Sequence, residues 1–483
     1  MKLSKIVYNI NYKGMSDDRE ISYITHDSRK VKKGTLFIAL KGIQSDGHDY
    51  IFDAIDKGAI AIIANGRAPA TNKVPILQVS NPRKVMSQIA SNFFESKKFN
   101  LKIIGITGTN GKTTTTQIIN HVLNYNSLRS GSLGTLGFDS PSGIKSTNFT
   151  TPESIDLHQI LKIMKNGGIQ FVPMEVSSHA IEMNRVDNIN FDVAIYTNLG
   201  FDHLDFHGNR ENYFKTKLKL FKKLNKNSLA IINNDDHYSD RIIKRLNCKY
   251  FTYGVNNEAD LYIKKYELGI NQSKAILIYK NTEYNLTTHL VGKFNLYNIL
   301  ASILCCISLG IDIKSIIKSI NIFENVPGRF EKIKLPNKKG FVIIDYAHSP
   351  DAFENIFKNI SIINKKRKII TLFGCGGERD NYKRPKMAAI AEKFSEWVII
   401  TNDNPRNENE NKIIADIREG FTLKKHEIIK DRKEGILKSL KLAENHIILI
   451  LGKGIEEYQI IKNEKIPHSD MRIVKNYINE NRS

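Results

Sequence analysis

The sequence predicts an α/β fold of about three domains. Its 483 residues exceed one ordinary domain, and length alone indicates about three. Hydrophobic residues make up 41% of the chain, which is enough for ordinary globular cores. Short apolar runs of strand length alternate with segments of helical periodicity along much of the chain. This alternation is typical of parallel sheets covered by helices.

The first predicted domain spans residues 1–97. Helical patterns separate its short strand-like runs, which lie at 36–40, 59–64 and 75–79. The sequence Ser96-Lys97-Lys98 then reads as a linker. We therefore expect the second domain to begin at residue 98.

The second predicted domain, residues 98–328, opens with an apolar run and a glycine-rich loop, GITGTNGKTTTT at 105–116. Glycines let backbone N–H groups converge on phosphate, and a helix N-terminus adds partial positive charge. Lys112 is placed to reach β- and γ-phosphates, and the hydroxyl of Thr113 or Thr114 to hold Mg²⁺. The loop therefore predicts a nucleoside triphosphate site.

The glycine spacing of this loop departs from the usual G-x-x-x-x-G-K-[ST] pattern. Ile106 occupies the position of the first glycine. A glycine-rich turn without a ligand is the alternative, but the ending Gly-Lys-Thr-Thr after an apolar strand favours phosphate binding.

Two polar residues follow neighbouring predicted strands of the second domain. Glu175 ends a run at 171–176, and His203 comes soon after a run at 191–196. Mg²⁺ prefers hard oxygen ligands, so Glu175 is the better candidate ligand and His203 the softer one. Either residue alone is more readily explained as structural. Together, beside the loop, they favour a metal site.

The third predicted domain, residues 329–483, follows a turn-like sequence, Val326-Pro327-Gly328-Arg329. Its strand-like runs alternate with helical segments and predict a parallel, doubly wound sheet; the runs lie at 341–344, 368–373, 397–401 and 446–451. Each run leads into a polar sequence, namely DYAH at 345–348, GCGGERD at 374–380, DNPR at 403–406 and GKGIE at 452–456. Ligands bind beyond the carboxyl ends of such strands, so these four tips predict a ligand site.

Composition restricts the partners. The formal net charge is +22, from 72 Lys and Arg against 50 Asp and Glu, and it suits a polyanion such as nucleic acid. The lysines are scattered rather than clustered, however, which favours compositional drift and no nucleic-acid partner. No run approaches the roughly 18 apolar residues of a membrane span, and residues 1–14 lack a signal-peptide core. The unpaired spacing of the four cysteines fits a cytoplasmic protein.

These motifs, in this order, resemble the Mur ligase family, the ATP-dependent amide ligases of peptidoglycan synthesis. The resemblance covers nearly the whole chain. The matching stretches are 27–29, 36–42, 107–114, 175–179, 202–208, 292–295 with Asn298, 328–329 and the four tips of the third domain.

The resemblance implies a UDP-substrate-binding domain, a central ATP-binding P-loop domain with a mostly parallel sheet, and a C-terminal Rossmann-like domain for an amino acid. It implies that ATP, with Mg²⁺, phosphorylates a carboxylate of UDP-N-acetylmuramoyl-L-alanyl-D-glutamate. An amine then displaces phosphate from the acyl phosphate and forms an amide. It also implies a protein that acts as a monomer.

The resemblance further assigns roles to individual residues. For ATP it implies Gly108, Thr109, Asn110, Gly111, Lys112, Thr113, Thr114, Asn295 and Arg329. For the UDP-linked substrate it implies two sets of contacts. Those to the uridine nucleotide are Ser28, Ile43, Gln44 and Ser45, and those to the muramoyl dipeptide are Thr150, Thr151, Ser177 and Arg185. For catalysis and metal binding it implies Lys112, Thr113, Glu175, His203 and Lys217. Lys217 matches a carbamylated lysine of the family, and nothing in the local composition selects it.

The tip at 403–406 looks like the form found in family members that add meso-2,6-diaminopimelate. The residues implied for this amino acid are Arg379, Asp403, Asn404, Pro405, Arg406, Gly452 and Glu456. Arg406 can pair with the distal carboxylate, at about 1.5–3 kcal/mol for a charged hydrogen bond, and would repel the lone ammonium of L-lysine. Glu456 would accept from the distal ammonium.

Alternatives remain at this stage. They are an L-lysine-adding Mur ligase, a folylpolyglutamate synthetase-like ligase and, more distantly, a nucleic-acid-dependent P-loop ATPase. Three residues also depart from the family pattern. Phe149 and Met183 stand where polar side chains are common, and Ile455 interrupts the usual Gly-Lys-Gly-His-Glu.

Overall fold

The structure is a computed structural model. It describes residues 1–14, 17–42, 45–69, 71–147, 149–335, 340–364, 367–423, 425–462 and 464–481, with the backbone alone at 204–205. The fold is α/β and contains three main sheets, which confirms the predicted fold class. Among the described helices, none combines the length and the apolar character needed to cross a membrane.

A four-stranded parallel sheet in the order β1-β2-β3-β4 forms the core of the first part. Its strands are β1 (Tyr23–Thr25), β2 (Thr35–Ile38), β3 (Ala59–Ala64) and β4 (Ile76–Gln78). The helices are α1 (Leu3–Ile6), α2 (Ile51–Asp56) and α3 (Pro82–Phe94). Short 3₁₀ helices lie at Ser28–Lys30, Gly47–Tyr50 and Ser96–Lys98, the last at the predicted linker.

An eleven-stranded sheet forms the central part, in the order β15-β14-β13-β12-β11-β10-β5-β9-β6-β7-β8. The strands from β12 to β6 in this order pair in parallel. Their bounds are β5 (Lys102–Thr107), β6 (Leu133–Gly134), β9 (Phe171–Glu175), β10 (Val193–Tyr196), β11 (Leu229–Asn233) and β12 (Lys249–Gly254).

Antiparallel pairs extend both edges of this sheet. At one edge lie β7 (Gly137–Ser140) and β8 (Gly143–Lys145). At the other edge, β13 (Leu261–Leu268) pairs in parallel with β12, and β14 (Ser273–Tyr279) and β15 (Thr282–Thr288) follow it in antiparallel pairs. The alternating burial along the first five residues of β14 indicates that one face is packed and the other solvated.

Helices cover both faces of the central sheet. They are α4 (Lys112–Tyr125), α5 (Ser154–Asn166), α6 (Ser178–Glu182), α7 (Leu204–His207), α8 (Arg210–Lys222), α9 (Ser239–Ile243), α10 (Lys293–Ser308) and α11 (Ile313–Asn321). Helices α4, α10 and α11 pack on one face, and α5 and α8 on the other. The two cores hold the carboxyl ends of β5, β9 and β10 at one edge of the sheet.

A six-stranded sheet in the order β16-β17-β21-β18-β19-β20 forms the third part. The strands are β16 (Glu331–Lys334), β17 (Phe341–Asp345), β18 (Lys368–Phe373), β19 (Trp397–Ile400), β20 (His426–Ile428) and β21 (His446–Leu451). All pairs are parallel except β16 with β17. The parallel, doubly wound sheet predicted for this part is therefore present, with an added antiparallel edge.

Helices on both faces of this sheet leave its strand tips at one edge. They are α12 (Pro350–Ile363), α13 (Lys383–Phe394), α14 (Glu410–Arg418), α15 (Arg432–Lys441) and α16 (Asp470–Glu480). A separate hairpin of β22 (Tyr458–Ile461) and β23 (Glu464–Pro467) follows the last tip. Through a backbone bridge between Arg406 and Ile461, this hairpin lies against the 403–406 tip.

Candidate active site

The glycine-rich loop joins β5 to the N-terminus of α4, as the sequence predicts. Gly108 has φ +152°, and a Cβ there would lie 1.8 Å from Thr197 Oγ1. Gly111 has φ +87°, and a Cβ would lie 2.3 Å from Asn298 Oδ1. Only glycine allows the loop to approach these side chains so closely. The exposed amides of the α4 N-terminus suit an anion.

The tip of β10 supports the loop from the side. Asn110 donates its backbone N–H to Asn198 Oδ1 at 3.0 Å, and the Thr197 hydroxyl donates to the Asn110 carbonyl at 2.6 Å. Thr109 Oγ1 accepts from the Gly200 N–H at 2.8 Å. These bonds fix the backbone that would cradle phosphate.

Lys112 turns back over this loop. Its ammonium donates to the carbonyl oxygens of Gly108 at 3.0 Å and Thr109 at 2.8 Å. Burial lowers the pKa of Lys112, while the carboxylates of Glu175 and Asp202 act to raise it. The cation is thus held at the loop and close to the neighbouring acidic groups.

Oxygen donors gather beside the first turn of α4. The Thr113 hydroxyl donates to Glu175 Oε2 at 3.0 Å and accepts from Arg329 Nη2 at 3.0 Å. Thr135 donates its N–H to Glu175 Oε1 at 2.8 Å. Thr113 and Thr114 are both buried, and it is Thr113 that contacts the predicted metal-binding carboxylate.

His203 lies in the same region, in the left-handed conformation with φ +56°. Its Nε2 is 3.4 Å from Asp202 Oδ2, and its ring centroid lies 4.8 Å from that of His179. Burial lowers the pKa of His203, although Asp202 opposes the effect. A neutral imidazole is the form that can ligate a cation.

Lys217 reaches the loop from α8. Its side chain is 1% exposed, and its Nζ donates to the Gly108 carbonyl at 2.9 Å. Burial lowers the pKa of Lys217 well below its usual value, and the nearby Lys112 lowers it further. The neighbours Lys215 and Lys219 face solvent. Helix orientation thus distinguishes a lysine that local composition does not.

These oxygen donors suit a Mg²⁺ ion that binds together with substrate phosphates, rather than a metal ion held by protein side chains alone. Within the described ranges, no three His, Cys, Asp or Glu side chains form such a centre. Mg²⁺ usually uses one or two carboxylates together with substrate phosphates and water. The hydroxyl of Thr113 and the carboxylate of Glu175, beside the loop, provide such a set.

The residues predicted for the muramoyl dipeptide adjoin this cluster. Thr151 Oγ1 donates to the Glu175 carbonyl at 2.9 Å and accepts from the Ser177 N–H at 3.1 Å. Arg185 Nη1 donates to the Thr151 carbonyl at 3.0 Å. The hydroxyls of Thr150 and Thr135 are 3.2 Å apart. A network of hydrogen bonds through Glu175 therefore connects these residues to Thr113 at the end of the loop.

Two of the departures from the family pattern meet at Arg185. Its guanidinium lies 4.6 Å from the centroid of the Phe149 ring, and its Nη2 lies 3.5 Å from Met183 Sδ. Nη2 also pairs with Glu153 at 2.8 Å. Phe149 remains 51% exposed. An apolar ring and a thioether thus flank the cation that the sequence predicts to hold substrate.

The residues predicted for uridine lie in the first part of the chain. Ser28 begins the 3₁₀ helix that Asp27 caps, and Ser45 is exposed, with its carbonyl accepting from the Gly42 N–H at 2.9 Å. Ile43 and Gln44 lie outside the described residues. Their predicted role therefore stays a prediction.

Asn295 and Arg329 approach the loop from different elements. Asn295 is buried in α10, where its Oδ1 accepts from Asn298 Nδ2 at 3.1 Å. The Arg329 guanidinium, besides contacting Thr113, lies 4.6 Å from the centroid of Tyr346. Tyr346 belongs to the first strand tip of the third sheet, so Arg329 links that tip to the loop.

The predicted amino-acid residues surround the other tips of the third sheet. Arg406 has φ +53°, and its Nη1 donates to the Gly377 carbonyl at 2.7 Å. Burial lowers the pKa of Arg406, and Arg379 adds to this effect, whereas Asp403 and Glu456 oppose it. The two guanidinium groups and the two carboxylates therefore act on one another electrostatically.

Close backbone packing brings the remaining members together. A Cβ at Gly452 would lie 2.8 Å from Asp403 Oδ2, so glycine permits the approach. Asn404 Nδ2 donates to Glu456 Oε2 at 2.9 Å. Pro405 is buried, and Arg379 is exposed at the rim.

The predicted set does not include four residues that the structure places at the site. Lys453 contacts Asn404 and Glu456, Tyr346 contacts Arg329, Asn198 supports the loop, and Thr135 contacts Glu175. The available signal was that Tyr346, Lys453 and Asn198 lie one or two residues after predicted strands. Thr135 follows β6, but that strand has only two residues and no apolar run to predict it.

Family models match most of the chain. The model described as "Mur ligase middle domain" matches residues 106–306, "Mur ligase, glutamate ligase domain" matches 328–454, and "Mur ligase family, catalytic domain" matches 20–94. The matched ranges include residues 108–111 of the loop, Glu175, Lys217 and the first three tips of the third sheet, and they end at residue 454, within the fourth tip.

Individual relatives match along nearly their whole length. The UDP-N-acetylmuramoyl-L-alanyl-D-glutamate–2,6-diaminopimelate ligase of Clostridioides difficile (strain 630) is 43% identical, with 98% of each chain covered. The enzyme of the same name from Clostridium tetani (strain Massachusetts / E88) is 38% identical, with 99% of this chain and 100% of the relative covered. A solved structure described by the same enzyme name has a TM-score of 0.69 at 29% identity, covering 100% of this chain and 99% of that chain.

Proposed function

This chain belongs to the Mur ligase family, and on that premise we propose that it adds meso-2,6-diaminopimelate to UDP-N-acetylmuramoyl-L-alanyl-D-glutamate. ATP is converted to ADP and phosphate in the reaction. The observation that carries the choice of amino acid is that the side chains of Arg406 and Arg379 both flank Gly376, while Glu456 contacts Asn404 of the neighbouring tip. Diaminopimelate ends in both a carboxylate and an ammonium, and so needs groups of both signs.

The first step is phosphoryl transfer. The substrate carboxylate attacks the γ-phosphorus of ATP, and the bond from this phosphorus to the bridging oxygen breaks. ADP departs with the electron pair of that bond, and the substrate becomes an acyl phosphate. The loop at 108–111 and the α4 N-terminus bind the phosphates, and Lys112 offsets their charge. Mg²⁺, held by Thr113 and Glu175 with His203 as a softer ligand, would supply further charge compensation.

The second step is amide formation. The amine of diaminopimelate attacks the acyl carbon, inorganic phosphate leaves with its electron pair, and the nitrogen loses a proton. Acyl phosphates react readily with water, so the site needs to exclude water first. Phosphoryl transfer and amide formation therefore need to be coupled. The contact of Arg329 with both Thr113 and Tyr346 supports such coupling, because it joins the nucleotide loop to the tips proposed to bind the amino acid.

Lys217 has the environment that carbamylation requires. A neutral amine can add to CO₂ and lose one proton, which yields an anionic carbamate. Burial and Lys112 lower the pKa of Lys217 and thereby favour the neutral amine. The resulting anion would lie beside Lys112 and the proposed Mg²⁺, where it would orient or ligate the cation.

The proposed division of labour follows the predicted domains. Residues 1–97 would bind the uridine end, 98–328 would bind ATP, and 329–483 would bind the amino acid. We also propose that the protein acts as a monomer in the cytoplasm, without nucleic acid or membrane insertion. The thiols, at Cys248, Cys305, Cys306 and Cys375, are free, which fits a reducing compartment.

The test is phosphate release by the full chain, with each component omitted in turn. We expect turnover to require ATP, Mg²⁺, UDP-N-acetylmuramoyl-L-alanyl-D-glutamate and meso-diaminopimelate. Equal turnover with L-lysine would overturn the choice of amino acid. Turnover with a folate and glutamate but not with the UDP-substrate would support the folylpolyglutamate synthetase-like alternative. Stimulation by DNA or RNA alone would overturn the ligase proposal.

A further inference from the structure

Lys453 lies beneath the strand tips at which diaminopimelate is proposed to bind. It lies two residues after the end of β21, and its side chain is 0% exposed. Fully buried lysines are rare unless they are paired. Its Nζ donates to Asn404 Oδ1 at 3.0 Å and to Glu456 Oε2 at 2.7 Å. One buried ammonium therefore contacts two of the residues predicted to bind the amino acid.

The two carboxylate oxygens of Glu456 differ in their hydrogen bonding. Oε2 accepts from both Lys453 and Asn404, the latter at 2.9 Å. Across the described part of the chain, no hydrogen bond reaches Oε1. The Glu456 side chain is 21% exposed, so the carboxylate lies at the boundary between the packed tip and solvent. Lys453 thus restricts how the carboxylate can turn.

The scaffold fixes Lys453 from below. The buried Arg432 donates through Nη2 to the Leu451 carbonyl at 3.0 Å, and the same guanidinium pairs with the buried Asp470 at 2.7 Å. The Glu456 N–H donates to the Lys453 carbonyl at 2.9 Å. These bonds fix the backbone around Lys453, and the hydrogen bonds to Asn404 and Glu456 hold its ammonium.

We propose that Lys453 is a positioning residue that sets amino-acid selectivity through Glu456, an inference that rests on the proposed function. It points Glu456 Oε1 at the distal ammonium of the ligand and offsets part of the negative charge of Glu456. An amino acid whose distal end carries only an ammonium then binds weakly, because the site offers it too little net negative charge. A ligand that also brings a carboxylate for Arg406 is favoured.

The test is Lys453→Met, which keeps side-chain length and removes the charge. We expect the apparent KM for meso-diaminopimelate to rise about tenfold or more, with the KM for ATP changed less than about twofold. The ratio of kcat/KM for diaminopimelate over L-lysine should fall. Lys386→Met, at an exposed lysine of α13, is the matched control and should leave all three values unchanged. Lys453→Gln, which keeps a donor, replaces the first variant if that variant does not fold.

A double variant separates positioning from general stability. If Lys453 acts through Glu456, Lys453→Met combined with Glu456→Gln should raise the KM for diaminopimelate no further than Glu456→Gln alone. Multiplicative effects, or equal rises in the KM for ATP and for diaminopimelate, would overturn the inference. If the unmodified protein uses no diaminopimelate, the proposed function itself fails. If it does and Lys453→Met behaves like the unmodified protein, only this inference fails.

Discussion

Lys217 Nζ and the carbonyl oxygen of Gly108 are 2.9 Å apart, so a buried lysine of α8 contacts the backbone of the phosphate loop. The same ammonium lies 4.4 Å from the centroid of the Tyr213 ring. A lysine in this place is neither a surface charge nor a partner of an adjacent carboxylate. Its surroundings favour the neutral amine, which is the reactive form.

Replacing Lys217 by alanine should abolish most of the turnover. We expect kcat to fall by about 10²-fold or more, as when one preorganised electrostatic group is removed. Added bicarbonate should not restore it, because alanine has no amine to carbamylate. Lys219→Ala is the matched control, since that lysine is on the same helix but is 49% exposed in its pair with Glu182. Full activity of Lys217→Ala would remove the carbamate from the mechanism.

Replacing Arg406 by alanine should weaken binding of diaminopimelate selectively. Loss of one charged hydrogen-bonding partner predicts a rise of about 10- to 100-fold in its apparent KM. The KM for ATP should change little, because Arg406 lies at the strand tips of the third sheet, where it donates to the Gly377 carbonyl. Steady-state kinetics with the other substrates saturating measure both values. Arg418→Ala, at an exposed arginine, is the control. A uniform small effect on every substrate would contradict the selective role.

Phe149 should influence the UDP-linked substrate through Arg185. Phe149→Leu removes the ring face that lies 4.6 Å from the guanidinium, and exposed cation–π contacts are worth about 0.5–1 kcal/mol. We therefore expect the KM for UDP-N-acetylmuramoyl-L-alanyl-D-glutamate to rise about two- to fivefold. Phe149→Tyr keeps the ring and should match the unmodified protein. If both variants bind this substrate equally well, the ring does not position Arg185.

The pair of Glu408 and Arg384 should make stability depend on acid pH. Arg384 donates to Glu408 at 2.7 and 2.8 Å and lowers the pKa of that carboxyl to about 2. A carboxyl with a depressed pKa stabilises the fold fully above its unfolded pKa, about 4.3. The contribution is lost as the pH falls towards the folded value.

We therefore expect Glu408→Gln to lower the free energy of unfolding by about 1–3 kcal/mol between pH 5 and 8. The difference from the unmodified protein should shrink below about pH 4. Urea denaturation at several pH values measures it, with Glu480→Gln at an exposed site as the control. A penalty that stays constant down to pH 3 would show that the ion pair does not cause it.

Much of the fold can be predicted from the sequence, because parallel strands that are buried on both faces are apolar along their length. The predicted runs at 368–373 and 446–451 coincide with β18 and β21. The edge strand β16 is different. Its sequence, Glu-Lys-Ile-Lys, has no apolar run, and pairing with β17 alone makes it a strand.

The sequence by itself determined the phosphate loop, the strand tips and the family. Glycine spacing, apolar runs and polar strand ends are local properties, and parallel strands carry their tips to one edge. Only the tertiary structure decided which lysines are buried. Lys217 and Lys453 are two among many lysines in the sequence, and helix orientation and strand-end packing bring them to Gly108 and Glu456. The free-energy cost of burying a charge depends on all the groups around it in the folded protein. A local sequence pattern therefore could not show which lysines are buried.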